Sequence, residues 1–250
     1  ALKTLGHKNI LVKKKPNILF FSTGNEISNS QIIPVWKVRN SNIHYLKSLD
    51  KNFLFNFYNG GIIRDKSEKK FYNILNKKLK SKFDIIVSFG AVSAGKFDFI
   101  PKIIKKFKTK GYFKSVSIRP GKPFLFSKIS NKAFFGLPGN PISSAACFRF
   151  FLFPYLLNIL GCSPEKPIKA ILKNNFIKNK NFTRFLKAKI VLNKKNLLEV
   201  EILKGQESFR INPFINSNVW AMLKNGKSHF KKGQVIDCYN SSIGNNFIFK

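Results

Sequence analysis

The chain has 250 residues, of which 44% are hydrophobic and 23% charged, and its formal net charge is +35 at pH 7. This composition excludes a disordered chain, and the length allows one domain of about 150 residues plus a smaller one. The charge favours either a polyanionic partner or an A/T-rich codon bias that enriches Lys, Asn, Ile and Phe. Because the lysines are scattered rather than gathered in one tail, we prefer the bias and expect no nucleic-acid partner.

The cysteines, the histidines and the longest apolar run each exclude a class of protein. Three cysteines and three histidines are spaced too widely for a disulfide framework or a zinc site. The longest apolar run, at 148–160, contains Arg149, Pro154 and Asn158 and is too short to cross a bilayer. The chain starts at Ala1 without a signal-peptide pattern. We therefore expect a cytoplasmic protein without membrane contact, and a trimmed or fragmentary start.

The first part of the chain alternates between strand and helix patterns. Short apolar runs bounded by Pro, Gly or Ser predict buried strands, and apolar residues three or four apart predict helices. An alternation of strand and helix is typical of a parallel, doubly wound sheet. The predicted elements are a strand at 17–21, a helix from about 42, a strand at 53–57, a helix after Ser67 that runs to Leu79, a strand at 83–89 and a helix at 99–108.

From residue 115 onward the predicted elements change character. Short strands are expected at 115–118, 124–127 and 133–135, followed by a long helix that starts with Asn140 as N-cap and Pro141 at its first position. After this helix ends near residue 160, a hairpin and further strands are predicted at 182–192, 197–203, 219–223 and 234–239.

These elements predict an α/β fold in two domains. We expect a doubly wound, mostly parallel sheet over residues 16–166, followed by a small β-barrel domain over 167–250. Residues 1–15 are interpreted as the remnant of a preceding domain or linker.

Glycine-containing loops follow three of the predicted strands, at 22–26, 90–95 and 136–141. The carboxyl ends of parallel strands meet at one edge of a sheet, where glycine permits close approach and helix starts attract anions. Any one loop is explained by an ordinary strand-to-helix connection, but three together indicate a phosphate-bearing ligand. None of them has the spacing of a Walker loop or a dinucleotide fingerprint.

Charged residues accompany these loops in a chain that is poor in carboxylates. Three carboxylates follow the glycines closely, namely Glu26, Asp65 and Asp98. A carboxylate repels a phosphate unless a cation lies between them, so this placement indicates Mg²⁺. Helix capping by Asp65 or Asp98 explains those two equally well. Arg119 and Lys122 lie on either side of a Pro-Gly turn, which would hold two cations toward an oxyanion.

The motifs of the first domain resemble those of a known family in order and spacing. The resemblance is to the molybdopterin molybdenumtransferases, and the C-terminal region of gephyrin is similar. A later segment, GQES at 205–208, resembles the β-barrel domain of this family more weakly. The motifs are STGNEI at 22–27, SNI at 41–43, GIIRD at 61–65, FGAVSAGKFDF at 89–99, RPGKP at 119–123 and GLPGNP at 136–141.

The resemblance implies a reaction and a set of site residues. Adenylylated molybdopterin would accept molybdate, AMP would be released and molybdenum cofactor would form, assisted by Mg²⁺. Asp65, Asp98, Lys122 and Arg119 would be catalytic, and Glu26, Asp65 and Asp98 would hold the metal. The implied substrate-binding residues are Thr23, Gly24, Ser41, Asn42, Gly90, Ser93, Gly95, Pro120, Gly121, Gly136, Pro138, Gly139, Asn140 and Pro141.

The chain departs from the family pattern at Asn25, Ala91 and Arg119, where Asp, Gly and Lys are usual. The family also has two further N-terminal domains, and its active site forms between protomers. We therefore expect a homodimer formed through domains that this chain lacks. The alternatives are a pterin-binding domain that adenylylates molybdopterin, which would not need the barrel, and a non-catalytic scaffold, which would not need Asp65 and Asp98.

Overall fold

A six-stranded sheet forms the centre of the first domain in the computed structural model of the protein, which describes residues 1–49, 54–64, 68–92 and 99–241. A π-helical turn over Phe148–Leu152 joins the last two helices of this domain. The elements are β1 (Asn17–Thr23), β2 (Ile27–Ser28), β3 (Val38–Arg39), α1 (Ser41–Leu49), β4 (Asn56–Ile63), α2 (Glu68–Leu79), β5 (Ile85–Phe89), α3 (Ile100–Ile104), β6 (Thr109–Lys114), β7 (Ile118–Arg119), β8 (Leu125–Ile129), β9 (Lys132–Leu137), α4 (Pro141–Cys147) and α5 (Phe153–Ile159).

The order of the strands in this sheet is β4-β1-β5-β9-β8-β6. The first four strands are parallel to one another, β8 is antiparallel to β9, and β6 is antiparallel to β8, which confirms a mostly parallel sheet. Every residue of β1 is buried because helices cover both faces of the sheet. Ile43 of α1 belongs to the core on one face, whereas Phe71 of α2 and Ile103 of α3 belong to the core on the other.

Two predictions in the first domain were wrong in their bounds. Strand β4 runs through Gly60 and Gly61, where we expected a break. Gly60 serves packing rather than a turn, because a Cβ there would lie 2.4 Å from the ring of Phe21. The helix expected at 99–108 ends at Ile104, and the chain enters β6 instead. This edge strand is largely exposed and has no apolar alternation, so its pattern could not reveal it.

The strand expected at 115–118 was also placed wrongly. Its place is taken by β6 and by β7, and β7 is a strand of two residues that belongs to the second sheet. The strands expected at 124–127 and 133–135 are confirmed as β8 and β9, and the long helix is confirmed as α4, the π-helical turn and α5.

The C-terminal domain contains a closed barrel of five strands. Its closing pair, β12 with β13, is the hairpin predicted from the sequence, and a polar turn joins the two strands. The elements are β10 (Ile168–Leu172), β11 (Phe176–Ile177), β12 (Thr183–Leu192), β13 (Leu198–Ile202), α6 (Asn212–Ile215), β14 (Val219–Leu223), β15 (His229–Phe230) and β16 (Val235–Asn240), and the barrel has the order β13-β10-β16-β14-β12-β13.

The two domains share both a sheet and a core. Strand β7 of the first domain pairs in parallel with β12 of the barrel, so Arg119 lies opposite Arg184. Phe185 and Trp220 of the barrel are buried in the core cluster of the first domain. The ring of Phe150 stacks on Phe185 with 3.7 Å between centroids. The relative position of the domains is therefore determined by continuous packing rather than by a free linker.

The helix over Pro141–Ile159 is long and apolar enough to cross a membrane by length and composition alone. Most of it is buried inside the protein, where it packs on the sheet, and a buried core helix meets the same criterion.

Arg149, in the π-helical turn, joins the first domain to the barrel. Its side chain is 3% exposed, and Nη2 donates to both carboxylate oxygens of Glu165 at 2.7 and 2.6 Å. Its Nε donates to the carbonyl oxygen of Asn240, at the end of β16, at 2.9 Å. Because a buried charge is costly without partners, this residue makes the interface depend on Glu165 and the last strand.

We predict that Arg149→Met lowers the free energy of unfolding by about 1 to 2 kcal/mol, because it removes the hydrogen bonds of the guanidinium to Glu165 and leaves the carbonyl oxygen of Asn240 without this donor. The measurement is urea denaturation followed by circular dichroism. Lys173→Met is the control, since it removes the cation of the exposed Lys173–Glu201 pair and should change stability very little. Equal losses in the two variants would contradict a special role for Arg149.

Candidate anion-binding cleft

A cleft of about 1240 Å³ lies at the carboxyl ends of β1, β5 and β9 and is bordered on one side by the barrel. This is the edge of the sheet where the three glycine-containing loops were expected to meet. The first domain contributes these loops, the start of α1 and the turn after β7. The barrel contributes Arg184 and part of the segment between β13 and α6, namely Gln206, Glu207, Ser208, Phe209 and Ile211.

The loops after β1, β5 and β9 are hydrogen-bonded to one another. The hydroxyl of Thr23 donates to the carbonyl oxygen of Phe89 at 2.6 Å, and the amide of Gly90 donates to the carbonyl oxygen of Leu137 at 2.9 Å. Gly90 has a φ of +82°, and a Cβ there would lie 2.7 Å from Oγ1 of Thr23. The close approach of these loops therefore requires glycine at this position.

The loop at 24–27 is held by Arg64, a residue for which the sequence motifs predicted no role in the site. Its Nη1 donates to the carbonyl oxygens of Gly24, Asn25 and Ile27 at 3.3, 3.0 and 3.0 Å. This arrangement satisfies carbonyl groups that a loop leaves unpaired. The carboxylate of Glu26 folds over Gly24, where a Cβ would lie 2.4 Å from its Oε1.

The GLPGNP loop contacts both α1 and the barrel. Asn42 donates through Nδ2 to the carbonyl oxygen of Gly139 at 2.8 Å. Asn140 occupies the predicted N-cap position before Pro141, but its side chain makes no capping bond. Its Nδ2 donates instead to the hydroxyl of Ser208 at 3.2 Å, so it links the two walls of the cleft.

Three cations converge beside the turn at 119–123. The guanidinium of Arg119 lies 4.4 Å from the centroid of the Phe182 ring, and Nζ of Lys122 lies 5.9 Å from it. Burial and the neighbouring charge of Arg119 lower the pKa of Arg184. Among the residues described, no ion pair includes Arg119, Lys122 or Arg184. Nε of Arg184 is buried without a hydrogen-bond partner.

The structure brings most of the predicted site residues together. Gly24 and Gly136 do not line the cleft: the carboxylate of Glu26 covers Gly24, and Gly136 makes room for the side chains of Val92 and Leu125. Asp65, Ser93, Gly95 and Asp98 lie outside the described residues. The predicted residues that line the cleft are Thr23, Glu26, Ser41, Asn42, Gly90, Arg119, Pro120, Gly121, Lys122, Pro138, Gly139, Asn140 and Pro141.

The donor set for Mg²⁺ is incomplete in the part of the chain that the structure describes. Glu26 and Glu207 are the carboxylates that line the cleft there. No group of three or more His, Cys, Asp or Glu side chains that could hold a metal occurs among the described residues. These residues alone therefore do not fit a Mg²⁺ site, and the prediction for Asp65 and Asp98 stays a prediction.

A parallel sheet with glycine-containing loops at its carboxyl edge, completed by a barrel that adds a cation, defines a two-domain protein whose cleft suits phosphate-bearing or oxyanionic ligands. Residues 20–158 match the family model described as "Probable molybdopterin binding domain", and residues 169–240 match the "MoeA C-terminal region (domain IV)". The chain belongs to the molybdopterin-binding domain family.

Similar proteins match nearly the whole of this chain. The molybdopterin molybdenumtransferase of Staphylococcus epidermidis is 31% identical over 242 residues, covering 95% of this chain and 57% of that protein. The protein of the same name from Staphylococcus aureus is 30% identical over the same shares. The chain thus spans little more than half the length of these relatives.

Solved structures show the same fold. The MoeA protein of Pyrococcus horikoshii OT3 superposes with a TM-score of 0.73 at 22% identity, covering 95% of this chain and 57% of that one. A molybdenum cofactor biosynthesis protein from Pyrococcus furiosus superposes with a TM-score of 0.67 at 18% identity, covering 95% and 72%. Both confirm the predicted α/β domain followed by a barrel.

We predict that Gly121→Ala lowers the free energy of unfolding by at least about 1 kcal/mol. Gly121 has a φ of +107°, and a Cβ there would lie 2.6 Å from Sγ of Cys147. Gly226→Ala is the control, because Gly226 has a φ of +86° but open space around it. Thermal denaturation should show the larger loss for Gly121→Ala. A loss no larger than that of the control would show that Cys147 does not constrain the turn.

Proposed function

We propose that this chain takes part in molybdenum insertion: the cleft binds adenylylated molybdopterin and places molybdate beside it, and AMP is released as molybdenum cofactor forms. The observation that carries the proposal is the convergence of Arg119, Lys122 and Arg184 on the loops at the carboxyl edge of the sheet. Molybdenumtransferase is the name of the relatives at about 30% identity, which supports the assignment.

The cleft offers different chemistry to the two substrates. The strand-end loops present backbone donors and the start of a long helix, which suit the phosphates of the adenylylated pterin. The three cations suit a compact dianion such as molybdate. Arg184 lines the cleft, so its guanidinium can donate to an oxygen of molybdate.

The barrel favours insertion over the two alternatives. An adenylylating pterin-binding domain would not need the C-terminal domain, yet this domain supplies Arg184 and Ser208 to the cleft. A scaffold without catalysis would not require three cations at one place that, among the described residues, have no carboxylate partners. Both alternatives are therefore disfavoured.

Two further expectations belong to the proposal. Mg²⁺ enters it only through Asp65 and Asp98, together with Glu26, as the sequence motifs imply. A homodimer is expected from the family resemblance, since its site forms between protomers.

We predict that Arg184→Met and Lys122→Ala each weaken molybdate binding by about tenfold or more, because each removes a charged contact worth roughly 1.5 kcal/mol. Isothermal titration calorimetry of the 250-residue chain with molybdate measures the dissociation constants. Lys128→Ala is the control, since Lys128 is exposed on β8 and does not line the cleft. If Arg184→Met and Lys122→Ala bind molybdate as tightly as the control and the unmodified protein, the cation cluster is not the molybdate site.

We also predict that Asp65→Asn and Asp98→Asn reduce AMP release while leaving the melting temperature nearly unchanged. This prediction rests on the sequence motifs. The assay incubates adenylylated molybdopterin with molybdate and quantifies AMP by chromatography. Variants that lose thermal stability but still release AMP would support helix capping as the role of these residues instead.

A further inference from the structure

Lys187, on β12 of the barrel, is a lysine that is almost completely buried. The residue has a relative exposure of 1%. Its Nζ donates to three backbone carbonyl oxygens, those of Gly205 at 2.7 Å, Glu207 at 3.1 Å and Arg210 at 3.1 Å. All three hydrogens of the ammonium therefore have acceptors, and these acceptors belong to one short segment of the chain.

This ammonium is not part of an ion pair among the described residues. Burial lowers the pKa of Lys187, and the nearby charge of Glu207 opposes that shift. Burying a charge is costly unless hydrogen bonds offset the lost hydration. Here the lost hydration is offset by the segment at 205–210, whose carbonyl oxygens accept hydrogen bonds from the ammonium. The conformation of this segment therefore depends on a cation at the position of Lys187.

The same residue contacts this segment through its backbone. Gln206 accepts from the amide of Lys187 at 3.0 Å, and its Nε2 donates to the carbonyl oxygen of Lys187 at 2.8 Å. Nε2 of Gln206 also donates to the carbonyl oxygen of Leu203 at 2.7 Å. Both the main chain and the ammonium of one residue thus fix the segment against β12.

The segment at 205–210 forms the barrel wall of the cleft. Gln206, Glu207 and Ser208 line the cleft, whereas Lys187 does not. The hydroxyl of Ser208 accepts a hydrogen bond from Asn140 on the opposite wall at 3.2 Å. The position of the segment therefore determines where the donors of the barrel face the cations of the first domain.

We propose that Lys187 is a positioning residue for the oxyanion site: it shapes the segment at 205–210 so that Ser208 and its neighbours meet an oxyanion bound by Arg119, Lys122 and Arg184. This inference rests on the proposed function, since it assigns a second contribution of the barrel to the same site. Lys187 acts through the segment and does not touch the ligand.

The test replaces Lys187 by Met, which has similar length but no donor. Three carbonyl groups then lose their partner and the segment relaxes, so the molybdate dissociation constant should rise about tenfold, which is the expected loss when one hydrogen bond to a charged ligand is broken. Lys187→Arg should stay within about threefold of the unmodified protein, because a guanidinium can donate to several carbonyls. If Lys187→Met does not fold, Lys187→Gln replaces it and should give an intermediate rise.

Lys132→Met is the matched control. Nζ of Lys132 also donates to backbone carbonyl oxygens, those of Ser81 and Phe83, but Lys132 lies at the start of β9, at the edge of the sheet opposite the cleft. Its replacement should leave molybdate binding unchanged even if stability falls. Hydrogen–deuterium exchange provides the second readout, and residues 203–211 should exchange faster in Lys187→Met than in Lys132→Met.

The outcomes distinguish the positioning role of Lys187 from the proposed function. If the unmodified protein binds molybdate and Lys187→Met binds it equally tightly, the positioning role is overturned and the proposed function stands. The positioning role is also overturned if Lys187→Met and Lys132→Met weaken binding equally, because the effect would then be general destabilisation. If the unmodified protein binds no molybdate, the proposed function fails, and the role of Lys187 at an oxyanion site fails with it.

Discussion

The pairing of β7 with β12 is the contact on which the cleft depends. A two-residue strand of the first domain is hydrogen-bonded to the longest strand of the barrel, and the amide of Thr183 donates to the carbonyl oxygen of Ser117 at 3.0 Å. This pairing places two guanidinium groups, those of Arg119 and Arg184, on neighbouring strands. Like charges at such positions repel each other, and an anion bound between them would be attracted to both. The register of this strand pair therefore places two cations where a bound anion lowers their electrostatic energy.

Both walls of the cleft are irregular loops, and each is stabilised by a cation that donates to three carbonyl groups. Arg64 does this for the loop at 24–27, and Lys187 does it for the segment at 205–210. Loops at a binding edge cannot satisfy their carbonyl groups through a ladder or a helix. A cation solves this problem and also adds positive potential beside an anion site. In this protein the structural and the electrostatic requirement are therefore met by the same side chains.

The sequence was sufficient for the elements whose information is local. The apolar runs of β1 and β5 and the spacing of α1 and α2 predicted them correctly, and the glycine loops after parallel strands predicted the edge that forms the cleft. Strands β6 and β7 were missed because an exposed edge and a two-residue pairing leave no periodic pattern. Arg184 and Lys187 were missed for a related reason, since their roles arise from contacts with distant segments. The motif at 205–208 was the one local signal that pointed to the barrel wall.

The division of the site between two domains has a thermodynamic consequence. An oxyanion that contacts Arg119 and Arg184 together binds only the arrangement in which β7 and β12 are paired, and not one in which the barrel has separated. A ligand that binds one arrangement selectively stabilises it in proportion to the logarithm of its concentration. The ion pair between buried Arg149 and Glu165 and the stacked rings of Phe150 and Phe185 already hold this arrangement without ligand, so little binding energy is lost in ordering the domains. The interface therefore holds the cations of β7 and β12 in place before the anion binds. Its packing contributes to affinity although none of these four side chains lines the cleft.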